Sequence, residues 1–317
     1  MKAAISDRYG GPEIVSVRDV PRPEPAPGEV LVRVHASTVS RSDCGMLRAH
    51  PFFMRLSSGL FRPKLKILGM DFAGTVEKTG AGVTGFRPGD RVFGMSPRRY
   101  GAHAEFLCMP QGGEIAPIPG DLPFDQAVVC EGAWYANSTI RTLRPGQSVL
   151  IYGASGAIGT AAVQLAKARD VHVTAVVATR HVKLARGLGA DRVIDFTAEN
   201  FTGIPERFDI VFDAVGKESY FRCRKLLKPG GMFASTDLGR GWSNMWLMSW
   251  HSLTGRKRVE IPLPTEGPAF VAEMAALLAE GRFRGVFDRS YPLDAIAEAY
   301  RYVETGQKTG IVVLRLP

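Results

Sequence analysis

The feature that most constrains the fold is a glycine-rich turn between a short apolar run and an amphipathic segment. The turn is Gly153-Ala-Ser-Gly-Ala-Ile-Gly159; it directly follows the strand-like run 148–152 and opens a segment, 157–169, with helical periodicity. Backbone N–H groups and the positive end of a helix dipole bind anions at such a turn. The order strand, glycines, helix therefore predicts a dinucleotide-binding unit. The residues predicted to cradle the pyrophosphate are Gly153, Ser155, Gly156, Ala157, Ile158 and Gly159.

The same rhythm of short apolar runs and helical segments continues over about a hundred residues. Strands are predicted at 148–152, 171–178, 193–195, 208–213, 232–235 and 258–261, with helices at 157–169 and 181–188. Short apolar strands that alternate with helices indicate a parallel sheet covered on both faces. The fold class predicted here is α/β, a Rossmann doubly wound parallel sheet.

The first third of the chain has a different pattern. Val30, Val32 and Val34 alternate with polar residues, which is typical of a half-buried strand, and Pro-Gly turns separate further short apolar runs. Segments rich in Pro and Gly at 110–123 and 261–268 are predicted joints. We therefore expect a β-rich domain, formed by 1–121 and 263–317, and a dinucleotide-binding domain at 122–262. The apolar tail 311–314 is expected to return to the first domain.

Charge does not indicate a nucleic-acid partner. The 317 residues include 40 Lys and Arg against 31 Asp and Glu, a net charge of +9. The basic residues are scattered, and the clusters 222–225 and 256–258 are interpreted as solvated faces. No helix-turn-helix, zinc-finger or RNA-binding signature is present.

Membrane and disulfide-rich classes are also not expected. No apolar run reaches the ~18 residues that span a bilayer, and the strand-like start MKAAI resembles no signal segment, so a cytoplasmic location is predicted. The cysteines are far apart, which favours neither a disulfide framework nor a structural zinc site. They are Cys44, Cys108, Cys130 and Cys223.

The cofactor preference can be inferred after the second strand. A site for NAD has an acidic residue about 20 positions after the glycines, which binds the ribose 2′-hydroxyl. Here the residue 19 positions after Gly159 is Ala178, and no carboxylate lies between positions 170 and 191. The absent acid and nearby cations predict NADPH, although the cations could also be ordinary exposed residues at a helix start. The residues predicted to contact the 2′-phosphate are Thr179, Arg180 and Lys183.

Stretches over most of the chain, in order, then carry a resemblance. They include MKAAISDRYGGPE, VLVRVHASTVSRSD, ILGMDFAGTVEKTGAGVTGFRPGDRVFG, PGQSVLIYGASGAIGTAAVQLAKA, FDIVFDAVG and TGIVVL. The chain resembles the medium-chain dehydrogenase/reductase superfamily, in particular its zinc-free quinone oxidoreductase branch. The resemblance implies that the β-rich domain is a GroES-like catalytic domain and that the protein is a homodimer.

Two departures from the zinc-dependent relatives bear on the chemistry. Ser40 stands where those relatives have the Cys of a Cys-x-x-Asp motif, and Gly69-Met70-Asp71 stands where they have Gly-His-Glu. Zinc prefers thiolate and imidazole ligands, which Ser and Met do not supply. No metal site is therefore predicted.

Without zinc, the resemblance implies hydride delivery from NADPH to an electrophilic carbon of a quinone or an α,β-unsaturated carbonyl compound. The pattern leaves the choice between these two small-molecule substrates open. Relatives often carry a Tyr as proton donor two positions after the Asp; here that position is Gly45. Tyr135 is the candidate donor, and a packing aromatic on a helix is the alternative.

The remaining site residues follow from the resemblance alone. Ser40 and Asp43 are expected near the nicotinamide, although Asp43 could instead cap or brace a loop. Other residues are expected along the ribose edge or in segments that close over the nicotinamide, with ordinary turns as the alternative. These residues are Val215, Gly216, Leu238, Lys308 and Gly310.

Two questions stay open at this point. Trp242, Trp246 and Trp250 form one stripe of a helix, which favours core or a subunit contact over a ligand pocket. The alternative function is a catalytically weak NADPH-binding sensor or scaffold on the same fold. A serine hydrolase is not favoured, because the turn lacks the last glycine of Gly-x-Ser-x-Gly.

Overall fold

A computed structural model of the chain describes residues 1–253, 258–264 and 267–317. Two compact units are present: Met1–Glu131 with Glu266–Pro317, and Gly132–Thr265. Part of the basic cluster 256–258, namely Arg256 and Lys257, lies outside the described residues.

The described residues contain fifteen strands. In chain order the strands are β1 (Lys2–Ile5), β2 (Ser16–Asp19), β3 (Glu29–Val39), β4 (Asp71–Thr79), β5 (Arg91–Met95), β6 (Phe106–Pro110), β7 (Ile115–Pro117), β8 (Ser148–Tyr152), β9 (His172–Val177), β10 (Arg192–Asp195), β11 (Phe208–Asp213), β12 (Leu227–Ser235), β13 (Val259–Glu260), β14 (Phe287–Pro292) and β15 (Ile311–Arg315).

The helices of the described residues are α1 (Arg41–Arg48), α2 (Arg55–Ser58), α3 (Phe124–Ala127), α4 (Cys130–Ile140), α5 (Ala157–Lys167), α6 (Val182–Gly187), α7 (Tyr220–Cys223), α8 (Ser243–Leu253), α9 (Pro268–Ala279) and α10 (Ile296–Glu304). Helix α4 begins in the first unit and continues into the second. Of these helices, none combines the length and apolar character needed to cross a bilayer.

The second unit is built on a six-stranded sheet in the order β10-β9-β8-β11-β12-β13. All its neighbouring strands are parallel. Numbered from β8, this order is 3-2-1-4-5-6, the order of dinucleotide-binding sheets. The central strands are apolar on both faces, and Val149, Leu150 and Ile151 are fully buried. The predicted doubly wound sheet is confirmed.

The first unit contains a seven-stranded, mostly antiparallel sheet. Its order is β14-β15-β3-β4-β5-β7, and β6 also pairs with β3. The long strand β3 pairs with β4 on one side, and with β6 and then β15 on the other. Val30, Val32 and Val34 are buried as predicted, but Leu31 between them is buried too, so β3 is more enclosed than the alternation indicates.

The C-terminal strand completes this sheet. Strand β15 inserts between β14 and β3, with Val312 opposite Val39 and Leu314 opposite Ser37. The predicted return of the tail to the β-rich domain is confirmed.

The sequence predicts that the tryptophan stripe is core or a subunit contact; the core interpretation is wrong, and the subunit contact stays a prediction. The exposed fractions of Trp242, Trp246 and Trp250 are 44%, 67% and 65%. Asn244, on the other side of α8, is buried and its side-chain amide donates to the carbonyl of Asp237 at 2.9 Å. This polar anchor holds that side of α8 inward and leaves the tryptophans on the surface of the second unit.

Candidate active site

Two glycines of the glycine-rich turn are required by the fold itself. Gly153 has φ +76°, and a Cβ there would lie 2.6 Å from the side chain of Val215. A Cβ on Gly159 would lie 2.2 Å from the carbonyl oxygen of Gly153. Both distances are below any real contact, so the close passage from β8 into α5 needs glycine at both positions.

Gly156 is different, because the protein leaves space beside it. A Cβ there would meet nothing nearer than 3.7 Å. The first bond across the start of α5 runs from the amide of Thr160 to the carbonyl of Gly156 at 2.8 Å. The N–H groups of Ala157, Ile158 and Gly159 come before it and have no acceptor within the helix. Open space next to these donors fits a pyrophosphate.

The loop after β11 is held rigidly beside this turn. Asp213 accepts hydrogen bonds from the amides of Val215, Gly216 and Glu218 at 3.1, 2.9 and 2.7 Å. Strands β8 and β11 are neighbours, and their connections leave in opposite directions along the sheet order. Ligands of such sheets bind at this switch point, beyond the carboxyl ends of the strands. Val215, 41% exposed, covers Gly153 there.

Side chains after β9 form a polar, cationic edge. Thr179, Arg180 and Lys183 are exposed, and the Thr179 hydroxyl lies 2.8 Å from that of Thr197. Hydrogen bonds from Thr179 and Thr197 lower the pKa of Asp195, which ends β10. The sequence reasoning missed Asp195, because sheet pairing places it opposite Val177. The carboxylate oxygens of Asp195 accept hydrogen bonds from Thr179 and Thr197.

In the first unit, Ser40 and Asp43 form a reciprocal cap at the start of α1. The Ser40 hydroxyl accepts from the amide of Asp43 at 3.1 Å and donates to Asp43 Oδ2 at 2.9 Å. Asp43 Oδ1 also accepts from the amide of Gly69 at 3.0 Å. Asp43 therefore has the capping and bracing role that the sequence left as an alternative. Its burial raises its pKa to about 6 against these hydrogen bonds.

A further carboxyl group, which the sequence reasoning did not assign, lies beside Ser40 and Asp43. Glu131 in the first turn of α4 is 5% exposed, and the hydroxyls of Ser42 and Ser40 contact its carboxyl group. Asp71 Oδ1 accepts from the amide of Glu131 at 2.8 Å. Burial and the nearby charge of Asp43 raise the pKa of Glu131 to about 7. The only sequence signal was a charged residue directly after the apolar run Ala127–Cys130.

Lys308 joins the same cluster from the segment before β15. Burial lowers its pKa to about 8, while the charge of Glu131 opposes this effect. Its ammonium donates to the carbonyl of Gly310 at 2.5 Å. Gly310 has φ +67°, and a Cβ there would lie 2.0 Å from the carbonyl oxygen of Val286, so it is a structural turn glycine.

The positions that hold zinc in zinc-dependent relatives do not fit the metal here. The Ser40 hydroxyl is engaged with Asp43, and Met70 offers a buried thioether. Neither supplies the thiolate or imidazole that zinc prefers. Over the described ranges 1–253, 258–264 and 267–317, no three His, Cys, Asp or Glu side chains are grouped to hold a metal ion.

The remaining candidates lie in the second unit. Tyr135 is partly buried on α4, with its ring 5.9 Å from that of Trp134. Leu238 is partly buried, and its carbonyl accepts from the amide of Asn244. Gly216 has φ +68° and touches Asp237, which places Leu238 near the loop after β11.

Comparisons with known proteins agree with this architecture. Residues 26–120 match the alcohol dehydrogenase GroES-like domain, and residues 188–314 match the zinc-binding dehydrogenase domain. The chain is 30% identical to the mitochondrial NAD(P)H oxidoreductase RTN4IP1 of Danio rerio, covering 100% of this chain and 91% of that protein. The chain belongs to the medium-chain dehydrogenase/reductase superfamily. It is an oxidoreductase with a nicotinamide-cofactor domain.

Two further medium-chain relatives show the same extent of similarity. The chloroplastic NADPH-dependent alkenal/one oxidoreductase of Arabidopsis thaliana is 29% identical, over 99% of this chain and 79% of that protein. The structure of the quinone oxidoreductase from Coxiella burnetii is 25% identical with a TM-score of 0.85, covering 100% of this chain and 99% of the other.

Proposed function

We propose that this protein is an NADPH-dependent, zinc-independent reductase of quinones or of the activated C=C bond of α,β-unsaturated carbonyl compounds. The observation that carries the proposal is the donor set of the first unit: Ser40 and Met70 stand at the zinc positions, with the carboxyl of Glu131 beside Ser40. The relatives named as alkenal/one and quinone oxidoreductases support the substrate class.

Bound NADPH supplies a hydride to the electrophilic carbon of the acceptor. The residues that would hold it lie in the second unit. The amides of Ala157, Ile158 and Gly159 would bind the pyrophosphate, with Gly156 leaving the space. Gly153, Ser155, Val215, Gly216 and Leu238 would line its path.

NADPH is proposed over NADH because of the edge after β9. Arg180 and Lys183 are exposed and could bind a 2′-phosphate, while the nearby carboxylate of Asp195 is engaged by Thr179 and Thr197. A free carboxylate that binds a ribose 2′-hydroxyl is the mark of NAD sites.

Without a Lewis acid, the acceptor must already be electrophilic, which quinones and enones are. Addition of hydride leaves an oxyanion that needs a proton. Ser40, which is partly exposed, is the polar group of the first unit proposed to reach the acceptor, with the buried carboxyl of Asp43 and the ammonium of Lys308 as the charged groups behind it. Tyr135 is the other candidate donor.

The test is cofactor oxidation with a panel of quinones and α,β-unsaturated ketones, aldehydes and acids. The proposal predicts turnover with NADPH, much weaker turnover with NADH, and no change after treatment with a chelator. Activity that disappears with the chelator and returns with zinc would contradict it. Tight binding of NADPH without reduction of any acceptor would favour a sensor instead.

A further inference from the structure

The carboxyl group of Glu131 is enclosed in the first unit beside Ser40. It is 5% exposed, and its Oε2 atom is buried without a hydrogen-bond partner. A buried carboxylate oxygen without a hydrogen-bond partner destabilises the folded protein when the group is ionised, and far less when it is protonated. The surroundings of Glu131 must therefore favour its protonated form, or the protein must use the proton that Glu131 holds.

The hydrogen bonds of Ser40 indicate where the proton lies. The Ser40 hydroxyl has one hydrogen, and Asp43 Oδ2 at 2.9 Å accepts it. The hydroxyls of Ser40 and Ser42 near Glu131 favour its carboxylate form, but burial and the charge of Asp43 outweigh them and raise the pKa of Glu131. Asp43 meanwhile receives two backbone amides, from Ser40 and Gly69, and these stabilise its carboxylate form. The proton of the pair belongs to Glu131.

We propose that Glu131 is the proton reserve of the reduction, and that it delivers its proton through the Ser40 hydroxyl. Ser40 is partly exposed, whereas Glu131 is enclosed, so Ser40 is the group that would touch the substrate. Ser40 is the catalytic residue in this scheme, and Glu131 acts through it. The inference rests on the proposed function.

The step balances as follows. Hydride addition to the β-carbon leaves an enolate, and the Ser40 O–H bond breaks to form the new C–H bond at the α-carbon. The Ser40 oxygen takes the proton of the Glu131 carboxyl, which becomes a carboxylate. Lys308 stabilises that carboxylate by its charge, and solvent protonates it again before the next turnover.

The charged groups around Glu131 set the pH range in which it can donate a proton. The carboxylates of Asp43 on α1 and Asp71 on β4 oppose the ionisation of Glu131, whereas the ammonium of Lys308 favours it. Tyr300 on α10 and Cys130 lie close by as neutral groups. Burial with this balance raises the pKa of Glu131 to about 7. An acid of this pKa holds its proton near neutral pH and releases it readily.

The decisive experiment follows the configuration of the product. An α-methyl-substituted cyclic enone gains a stereocentre at the α-carbon on reduction, and NADPH deuterated at the transferable position marks the β-carbon independently. The wild type should give one configuration at both carbons. Glu131→Gln should still place deuterium on one face of the β-carbon, with turnover reduced on the order of 10²–10⁴-fold and a mixture at the α-carbon.

Matched variants separate the relay from general damage. Ser40→Ala keeps the Glu131 carboxyl but removes the hydroxyl through which its proton passes, so it should give the same mixture at the α-carbon as Glu131→Gln. Ser40→Thr keeps a hydroxyl and should give one configuration at the α-carbon. Glu218→Gln removes another buried glutamate with an unpartnered Oε2, in the other unit, and should keep the single configuration. If Glu131→Gln does not fold, the two Ser40 variants still test the relay.

A second readout needs neither cofactor nor substrate. Glu131 has a raised pKa in the folded protein, so the stability it contributes is full below its ordinary value of 4.5 and is lost as the pH rises through about 7. Gln is neutral at every pH. The Tm of Glu131→Gln, relative to wild type, should therefore rise between pH 5 and pH 8.

Two results would overturn the relay. One is a Glu131→Gln enzyme that keeps a single α-configuration at near wild-type rate; the other is a Tm difference that does not change with pH. If the wild type oxidises NADPH with no enone or quinone of the panel, the proposed function itself fails, and the relay fails with it.

Discussion

At the scale of single residues, the glycine-rich turn separates folding from binding. Gly153 and Gly159 have no room for a Cβ, whereas Gly156 has ordinary contact distances around it. The sequence predicts three glycines with one function, a close approach to the pyrophosphate. The structure shows that two of them are needed by the chain itself, which only the positions of Val215 and the Gly153 carbonyl reveal.

This difference gives a paired prediction. Gly156→Ala should keep the wild-type Tm but bind NADPH about tenfold more weakly, since a methyl group enters the space for the pyrophosphate. Gly159→Ala should lose about 1–3 kcal/mol of stability, because backbone has to move. Thermal unfolding and fluorescence titration with NADPH measure both. Equal effects of the two variants on binding, with no loss of stability, would contradict the assignment.

Residues joined by long-range packing were beyond sequence reasoning. Glu131 reaches Ser40 and Lys308 only because residues 130–131, the start of α1 and the segment before β15 meet in the first unit. Nothing in the spacing of positions 40, 131 and 308 indicates that contact. Local features were predictable: the Ser-x-x-Asp capping pattern at Ser40 is visible in the sequence, and the structure forms it.

At the scale of elements, the proposed preference for NADPH rests on the connection from β9 to α6. A short apolar strand followed by Thr, Arg and Lys was enough to predict the edge, because β9 ends where the sequence expects it to end. The neighbouring Asp195 was not predictable, because it lies on β10.

We predict that Arg180→Ala combined with Lys183→Ala raises the KM for NADPH by about 10–100-fold and leaves the KM for NADH nearly unchanged, because two charge-assisted bonds to the 2′-phosphate are lost. Steady-state kinetics with both cofactors measures this. Arg186→Ala, another exposed cation on α6, is the control and should change neither value. Parallel losses with NADPH and NADH would mean that the cations do not bind the 2′-phosphate.

At the scale of the whole molecule, the strand order can be predicted from the alternation of apolar strands and helices. Which large apolar residues are exposed on the surface cannot be predicted in this way. The sheet order of the second unit and the return of β15 were both predictable, because apolar strand runs and connection lengths leave few topologies. The tryptophans of α8 misled the core prediction, since a helical stripe of large apolar residues is also compatible with an exposed face.

The homodimer implied by the family resemblance stays a prediction, as does the cytoplasmic location. Sedimentation velocity at several concentrations should give a single species of twice the chain mass. A monomer at all concentrations would contradict the dimer without affecting the proposed chemistry.

The most direct test of the central claim is the fate of the transferable hydrogen. NADPH deuterated at that position is incubated with the wild-type protein and the best acceptor of the panel, and the product is examined by NMR. Reduction of an enone should place one deuterium on the β-carbon, and reduction of a quinone should consume one NADPH per hydroquinone, both in the presence of a chelator. Deuterium on the carbonyl carbon of an enone product, or no oxidation of NADPH by any enone or quinone of the panel, would contradict the account.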